Sequence, residues 1–179
     1  MPKYVAFLRG INSGKHPTVK MDVLRNAFEE LGFENVSTVL ASGNVLFEAD
    51  SINEKELEKQ IEKLLPGAIG FESGVIIRTV EDIHKLVRLN PFKNVQVTPQ
   101  TRLYVTFLKM RPGSDQEFPV KSAGYRILGI FENVVCSIVD LLTAKTPDLM
   151  QVLDKTFGIE ITTRNWNTVV RILTVANSR

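Results

Sequence analysis

Apolar, β-prone residues fill KYVAFLRGI, residues 3–11, and after a polar loop the period changes, with Met21, Leu24, Ala27, Phe28 and Leu31 recurring at helical spacing. The pattern stops at Gly32, which suits a helix C-terminus. VSTVLASGNVLFE then reads as two short strands turning at Ser42-Gly43-Asn44, where glycine and asparagine supply positive φ cheaply. Asn53 is placed to cap a second helix, with Glu56 three residues on, an Ile52 to Leu57 staple and a buried stripe of Leu57, Ile61, Leu64 and Leu65 ending at Pro66-Gly67. GVIIR, residues 74–78, is a further strand, and a helix is predicted near 80–89. The order βαββαβ is that of a ferredoxin-like half.

Composition shifts at NPFKNVQVTPQT, where Pro91 and Pro99 bracket a polar stretch. The predicted organisation is an N-terminal half over 1–90, a linker over 91–101 and a C-terminal α+β half over 102–179. In the latter, RLYVTFLK is a strand, YRILGIF and VVCSIV pair through Glu132-Asn133, and Thr146-Pro147 open a helix as N-cap and N1. A last short strand is predicted at 159–162 and a helix from about 164. Element order suggests that the second half repeats the first, although no repeat is read at the level of residues. Tyr4, Ala6 and Leu8 face one way and Val5, Phe7 and Ile11 the other, so the first sheet is apolar on both faces and the second half is the nearest cover. The fold class predicted is α+β, two ferredoxin-like α/β plait halves packed together.

Bulk numbers narrow the function. In 179 residues, 22 Lys and Arg face 20 Asp and Glu, a net +2 that is too balanced for a dedicated nucleic-acid binder, so any basic site is local. A single cysteine, Cys136, excludes internal disulfides and multi-cysteine metal motifs and points to a reducing compartment. No opening segment is long and apolar enough for secretion or membrane spanning, so the expectation is a cytoplasmic protein without membrane contact.

The loop RGINSGKHP, Arg9 to Pro17, poses the sharpest question of chemistry. Three residues separate its glycines where a phosphate-binding Walker loop has four, and histidine stands where that loop needs Ser or Thr for Mg²⁺. Pro17-Thr18-Val19 also part it from the helix start. What remains is local positive charge from Arg9, Lys15 and Lys20, with no acidic residue before Asp22. The competing reading is a glycine turn with solvated lysines. A second basic segment is TTRNWNTVVRIL, residues 162–173. There Trp166, Val169, Val170 and Leu173 are predicted to face a core, Thr163 to cap the helix, and Arg164, Thr168 and Arg171 to share another face.

The motifs FLRGIN, VKM before DVLRNAFEELGF, SGNVLF, NPF and TTRNWNTV resemble a bacterial family of unknown function, DUF1697. Arg9, Gly10, Asn12, Ser42, Gly43, Asn44, Arg164, Asn165 and Trp166 match its motif positions. The resemblance implies two α/β plait halves and brings no activity, substrate or catalytic residue.

The strand order is read with strands one and three parallel. This puts Arg9 to Lys15 and the turn at Ser42 to Asn44 at opposite edges, with Glu48, Asp50 and Ser51 beside the basic loop. Two histidines, His16 and His84, with one cysteine make no transition-metal site, and no cofactor is predicted. Cys136 reads as a small buried residue, no G-x-S-x-G elbow is present, and NVLFE lacks the aromatic-glycine pattern of an RNA-binding strand. The candidate ligand residues are Arg9, Asn12, Lys15, Arg164, Asn165 and Arg171, for a small anion or nucleic acid bound without catalysis. Two alternatives stay open: a small enzyme using Lys15 or Lys145 as a catalytic amine on a phosphate- or carboxylate-bearing substrate, and a self-associating interaction module.

Overall fold

A computed structural model describes residues 1–51, 53–110, 120–131 and 133–178. It is α+β, with two antiparallel sheets and, among the described residues, five helices. The chain divides into two compact units, Met1–Lys85 with Val170–Arg179, and Leu86–Val169.

The first unit follows the predicted order: β1 (Lys3–Leu8), α1 (Met21–Glu30), β2 (Glu34–Thr38), β3 (Asn44–Glu48), α2 (Glu54–Ile69), β4 (Val75–Thr79) and the start of α3 (Val80–Leu89). Its sheet runs β2-β3-β1-β4, every neighbour antiparallel. The expected parallel relation of strands one and three is therefore wrong. A helix joins β1 to β2 and returns the chain in the same direction; the hairpin then reverses it, so β3 opposes β1. Phe7 pairs with Asn44 and Lys3 with Glu48. The loop after β1 and the β2–β3 turn thus share one end of the sheet, while Glu48 lies at the other.

One face of this sheet carries Tyr4, Ala6, Leu8, Val45, Phe47, Val75 and Ile77, which pack with Leu24 and Phe28 of α1 and Leu57, Ile61 and Leu65 of α2. Phe47 stacks on Phe33 at 4.6 Å and meets Phe28 edge-on at 5.4 Å. Each fully buried side chain of this size contributes roughly 1.5–3 kcal/mol. Asn53 caps α2 as predicted, its Oδ1 accepting from the N–H groups of Lys55 and Glu56. The helix nevertheless runs through Pro66-Gly67 and ends at Gly70, φ 86. The Ile52 staple falls outside the described residues. In the β2–β3 connection the positive φ belongs to Leu40 and Gly43, not Asn44.

The second unit contains β5 (Thr101–Leu108), β6 (Val120–Ser122), β7 (Tyr125–Phe131), β8 (Val134–Asp140), α4 (Thr146–Phe157) and β9 (Ile161–Asn165), and α5 (Trp166–Asn177) starts within it. Its sheet order is β6-β7-β8-β5-β9, all antiparallel. β6 has no counterpart among the sequence expectations; Glu132, in the predicted β7–β8 turn, lies outside the described residues. Helix α4 begins one residue off prediction, with Lys145 as N-cap and its N–H donating to Asp148 Oδ2 at 2.8 Å. Leu149 and Leu153 of α4 pack on Leu108, Ile127, Val135, Val139 and Ile161.

The two sheets share a plan. Omitting the edge strand β6, β7-β8-β5-β9 occupies the same places as β2-β3-β1-β4. The correspondence reaches individual residues: Tyr4-Val5-Ala6-Phe7-Leu8 and Tyr104-Val105-Thr106-Phe107-Leu108 differ only at their middle position. Val5 pairs with Arg78 on the last strand of its sheet, and Val105 with Arg164 on the last strand of the other. The likeness of the two sheets at residue level is confined to this five-residue strand segment.

Candidate functional site

The loop after β1 is built into the end of the first sheet by hydrogen bonds. Arg9 N–H donates to Gly74 O at 2.8 Å, and Ser73 Oγ donates to Arg9 O at 2.8 Å. Leu8 N–H donates to Gly43 O at 2.9 Å. Asn12, at φ 52, is the hub: its Nδ2 donates to Val19 O at 3.0 Å and Ala41 O at 2.8 Å, while its Oδ1 accepts from Val19 N–H at 2.7 Å. One side chain therefore ties the loop to its own exit toward α1 and to the β2–β3 turn. Gly43 is required there, because a Cβ at φ 78 would lie 2.8 Å from Ile11 Cγ1. Asn44, fully buried, donates to Val39 O at 2.9 Å and Ser42 Oγ at 3.0 Å. The RGIN and SGN segments, expected at opposite edges, form one junction.

On this frame stand Arg9, partly exposed, and Lys15 and Lys20, exposed. His16 stacks on Phe71, ring centroids 4.1 Å apart, and fastens the far side of the loop to the segment after α2. α1 starts beside Lys20, whose side chain makes no capping bond. A helix start carries partial positive charge, so the junction gathers three cationic side chains and a helix dipole of the same sign.

The second basic segment is arranged differently from its prediction. Arg164 lies in β9, not on a helix, and is 8% exposed. Its Nη1 donates to Thr162 Oγ1 at 2.8 Å and Thr163 O at 3.0 Å, and burial pulls its pKa down to about 10. Thr163 does not cap a helix; its hydroxyl bonds that of Thr106 at 2.8 Å. Asn165 Oδ1 accepts from Asn167 N–H at 3.3 Å, at the start of α5. The buried stripe of α5 is Val169, Ile172, Leu173 and Ala176, whereas Val170 is 38% exposed. Trp166 is half-buried edge-on against Phe92 at 5.2 Å. Arg171 is exposed. Arg9, Asn12, Lys15 and Arg171 belong to the first unit, Arg164 and Asn165 to the second.

Two features had no place in the sequence reading. Along α2, Glu58 Oε1 accepts from Ile77 N–H at 2.9 Å and Glu62 Oε1 from Val75 N–H at 3.0 Å, and Glu54 takes a backbone hydrogen bond from Thr79. The i, i+4, i+8 carboxylates thus line the edge of β4 that β1 does not pair. Arg78, buried beside them with Nη1 on Ile77 O at 2.7 Å, offsets their charge. Burial raises the Glu54 pKa, Arg78 opposes the rise, and Asp82 and Glu58 add to it. The second feature is a groove of about 420 Å³ at the opposite end of the first sheet from the Asn12 junction, lined by residues that include Lys3, Tyr4, Asn35, Phe47 and Glu48.

Cys136 is buried as expected, and its thiol is pushed up to about 12, which removes it from nucleophilic chemistry at neutral pH. Lys15 and Lys145 are both exposed, so neither sits in the closed pocket an amine catalyst requires. His84 Nε2 lies 3.0 Å from Asn177 Oδ1 at the surface. Among the described residues, no group of three His, Cys, Asp or Glu side chains is placed to hold a metal ion, and no helix is long and apolar enough to cross a membrane.

Compared with known proteins, residues 1–125 match the family model described as protein of unknown function DUF1697, a range that ends before the TTRNWNTV motif. No curated protein matches the chain. Among solved structures, conserved bacterial protein SP0830 from Streptococcus pneumoniae is similar over 99% of both chains, with a TM-score of 0.73 at 21% sequence identity. At that identity the likeness speaks for the fold alone.

Proposed function

Because the chain belongs to the DUF1697 family, whose description carries no activity, its role rests on its own residues, and we propose that it binds a small anionic, phosphate-bearing ligand at the Asn12 junction. The observation that carries this reading is the three-way attachment of Asn12 to Val19 and Ala41, which holds a cationic loop rigidly against a sheet end and a helix start. Preorganised charge binds an anion without first ordering a loop. Arg9, Lys15 and Lys20 are the cations of this site. Asn12 is its frame rather than a contact. Arg164 and Asn165, engaged within the second unit, have structural roles, and Arg171 is a solvated surface charge.

The same reading takes both halves, 1–90 and 102–179 about a 91–101 connection, as ferredoxin-like plaits. The matching sheet orders and the YVAFL and YVTFL segments support it.

Titration of wild type, Arg9→Ala and Lys15→Ala with pyrophosphate, ATP and a short RNA at two salt concentrations tests the site. Wild type is expected to bind pyrophosphate, weakening as salt rises because the contacts are exposed, and each variant to lose about tenfold. Equal binding by all three proteins, no binding, or Mg²⁺-dependent ATP hydrolysis lost on changing Lys15 would overturn the reading; preference for RNA would replace the small anion with a polymer.

A further inference from the structure

At the end of the first sheet away from the Asn12 junction, the β2–β3 ladder is broken. Glu34 pairs with Glu48 and Ser37 with Leu46, so two residues of β2, Asn35 and Val36, stand against one of β3, Phe47. This is a β-bulge, a device that re-aims side chains and recurs beside binding sites. It has two costs. Asn35 is held at φ 50, a left-handed conformation, and the Ser37 hydroxyl is buried with no hydrogen-bond partner among the described residues. The bulge gives in return a groove of about 420 Å³, within the size range of small-molecule sites.

The groove has one chemical signature. Its walls are apolar, from Tyr4, Val36, Leu46, Phe47, Val80 and Ala176, and its polar groups are Lys3, Asn35 and Glu48. Asn35 Nδ2 donates to Glu48 Oε2 at 3.0 Å and fixes the carboxylate. The other oxygen, Oε1, faces Lys3 Nζ at 3.8 Å, a loose pair with Lys3 44% exposed and Glu48 19%. At 3.8 Å the pair is longer than a hydrogen bond, so a ligand ammonium can come closer to Glu48 Oε1 than Lys3 does. A fixed negative and a half-exposed positive group, side by side in the lining of an apolar groove, match a ligand that carries an ammonium and a carboxylate on one carbon. We propose that the bulge groove binds a small zwitterion of the α-amino-acid type with an apolar side chain. The ammonium replaces Lys3 on Glu48 Oε1, the carboxylate takes the displaced Lys3, and the side chain enters between the apolar walls. The Asn35 strain is the means by which the carboxylate is presented.

Calorimetric titration with L-phenylalanine and L-leucine tests this, against phenethylamine, which lacks the carboxylate, and 3-phenylpropionate, which lacks the ammonium. Phenylalanine is expected to bind saturably and each single-charge analogue about tenfold more weakly, as loss of one charge-assisted hydrogen bond implies. Glu48→Gln is expected to weaken phenylalanine about tenfold and not to weaken 3-phenylpropionate, which then no longer competes with Glu48 for Lys3. Lys3→Gln should do the reverse, weakening the two carboxylate ligands and sparing phenethylamine, and as an exposed change it also guards against misfolding of the first variant. Absence of phenylalanine binding, equal affinity for the analogues, or indifference to both substitutions would overturn the proposal. Pyrophosphate should not displace phenylalanine; displacement would show that the two ends of the sheet are not separate sites.

Discussion

Asn12 holds a backbone conformation that costs most residues about 1 kcal/mol or more, and the two hydrogen bonds its side-chain amide donates and the one it accepts offset that cost. Asn12→Ala keeps the strain and loses the bonds, so urea denaturation is expected to show a loss of about 2–4 kcal/mol. Asn12→Gly, which relieves the strain, should recover part of it; a loss below about 0.5 kcal/mol in the alanine variant would remove Asn12 from the centre of the junction. Cys136 gives a second measurement at this scale. Its folded thiol is raised to about 12 against an ordinary 9.0, so the folded state keeps a proton that the unfolded state gives up first. The stability this confers is whole below pH 9.0 and falls as pH rises through the window up to about 12, by about 1.4 kcal/mol per pH unit. Between pH 9.0 and 10.5, wild type is expected to lose stability more steeply than Cys136→Ala, and a thiol reagent at pH 8 to label only unfolded molecules. Rapid labelling under native conditions would contradict the burial.

At the scale of elements, the carboxylates of α2 substitute for a missing strand along β4. Glu58 is 4% exposed and its oxygen is spent on Ile77 N–H, so Glu58→Ala strands a buried donor and is expected to cost about 1–3 kcal/mol. Glu58→Gln, which keeps an acceptor, should cost less than half of that, and equal losses in the two variants would deny the bond its role. Glu54 has the opposite pH sign from a salt-bridged carboxylate. Its folded pKa is raised, chiefly by burial, so its folded state holds a proton more tightly and stability declines as pH climbs above 4.5 toward the folded value. Glu54→Gln is expected to flatten that decline, read from denaturation at several pH values; an unchanged slope would place the titration elsewhere. The EKELEKQIEKLL spacing displays these acids on one face, yet no sequence pattern says that a strand edge lies beneath them.

For the molecule as a whole, legibility followed the range of the forces. Local signals held: the Asn53 cap, the Gly32 stop and the helical stripe of α1 depend on neighbours within a turn. Contacts distant in sequence were lost. Arg164 reads as a surface cation on sequence, whereas in β9, paired with β5, it is 8% exposed. The opposed directions of β1 and β3 follow from a crossover and a hairpin taken together, and this is what brings the RGIN and SGN motifs to the one end of the sheet where Asn12 joins them. The groove at Asn35 was invisible because a bulge is a property of register, which ENVST does not announce.

The central claim is that the Asn12 junction is an anion site, and amide chemical shifts recorded during a pyrophosphate titration test it most directly. Saturable shifts are expected at residues 9–20, 41–44 and 71–74, shrinking as salt is added and absent from Asn12→Ala, whose frame is broken. Saturable shifts confined to other residues, or none at any concentration, would contradict the account.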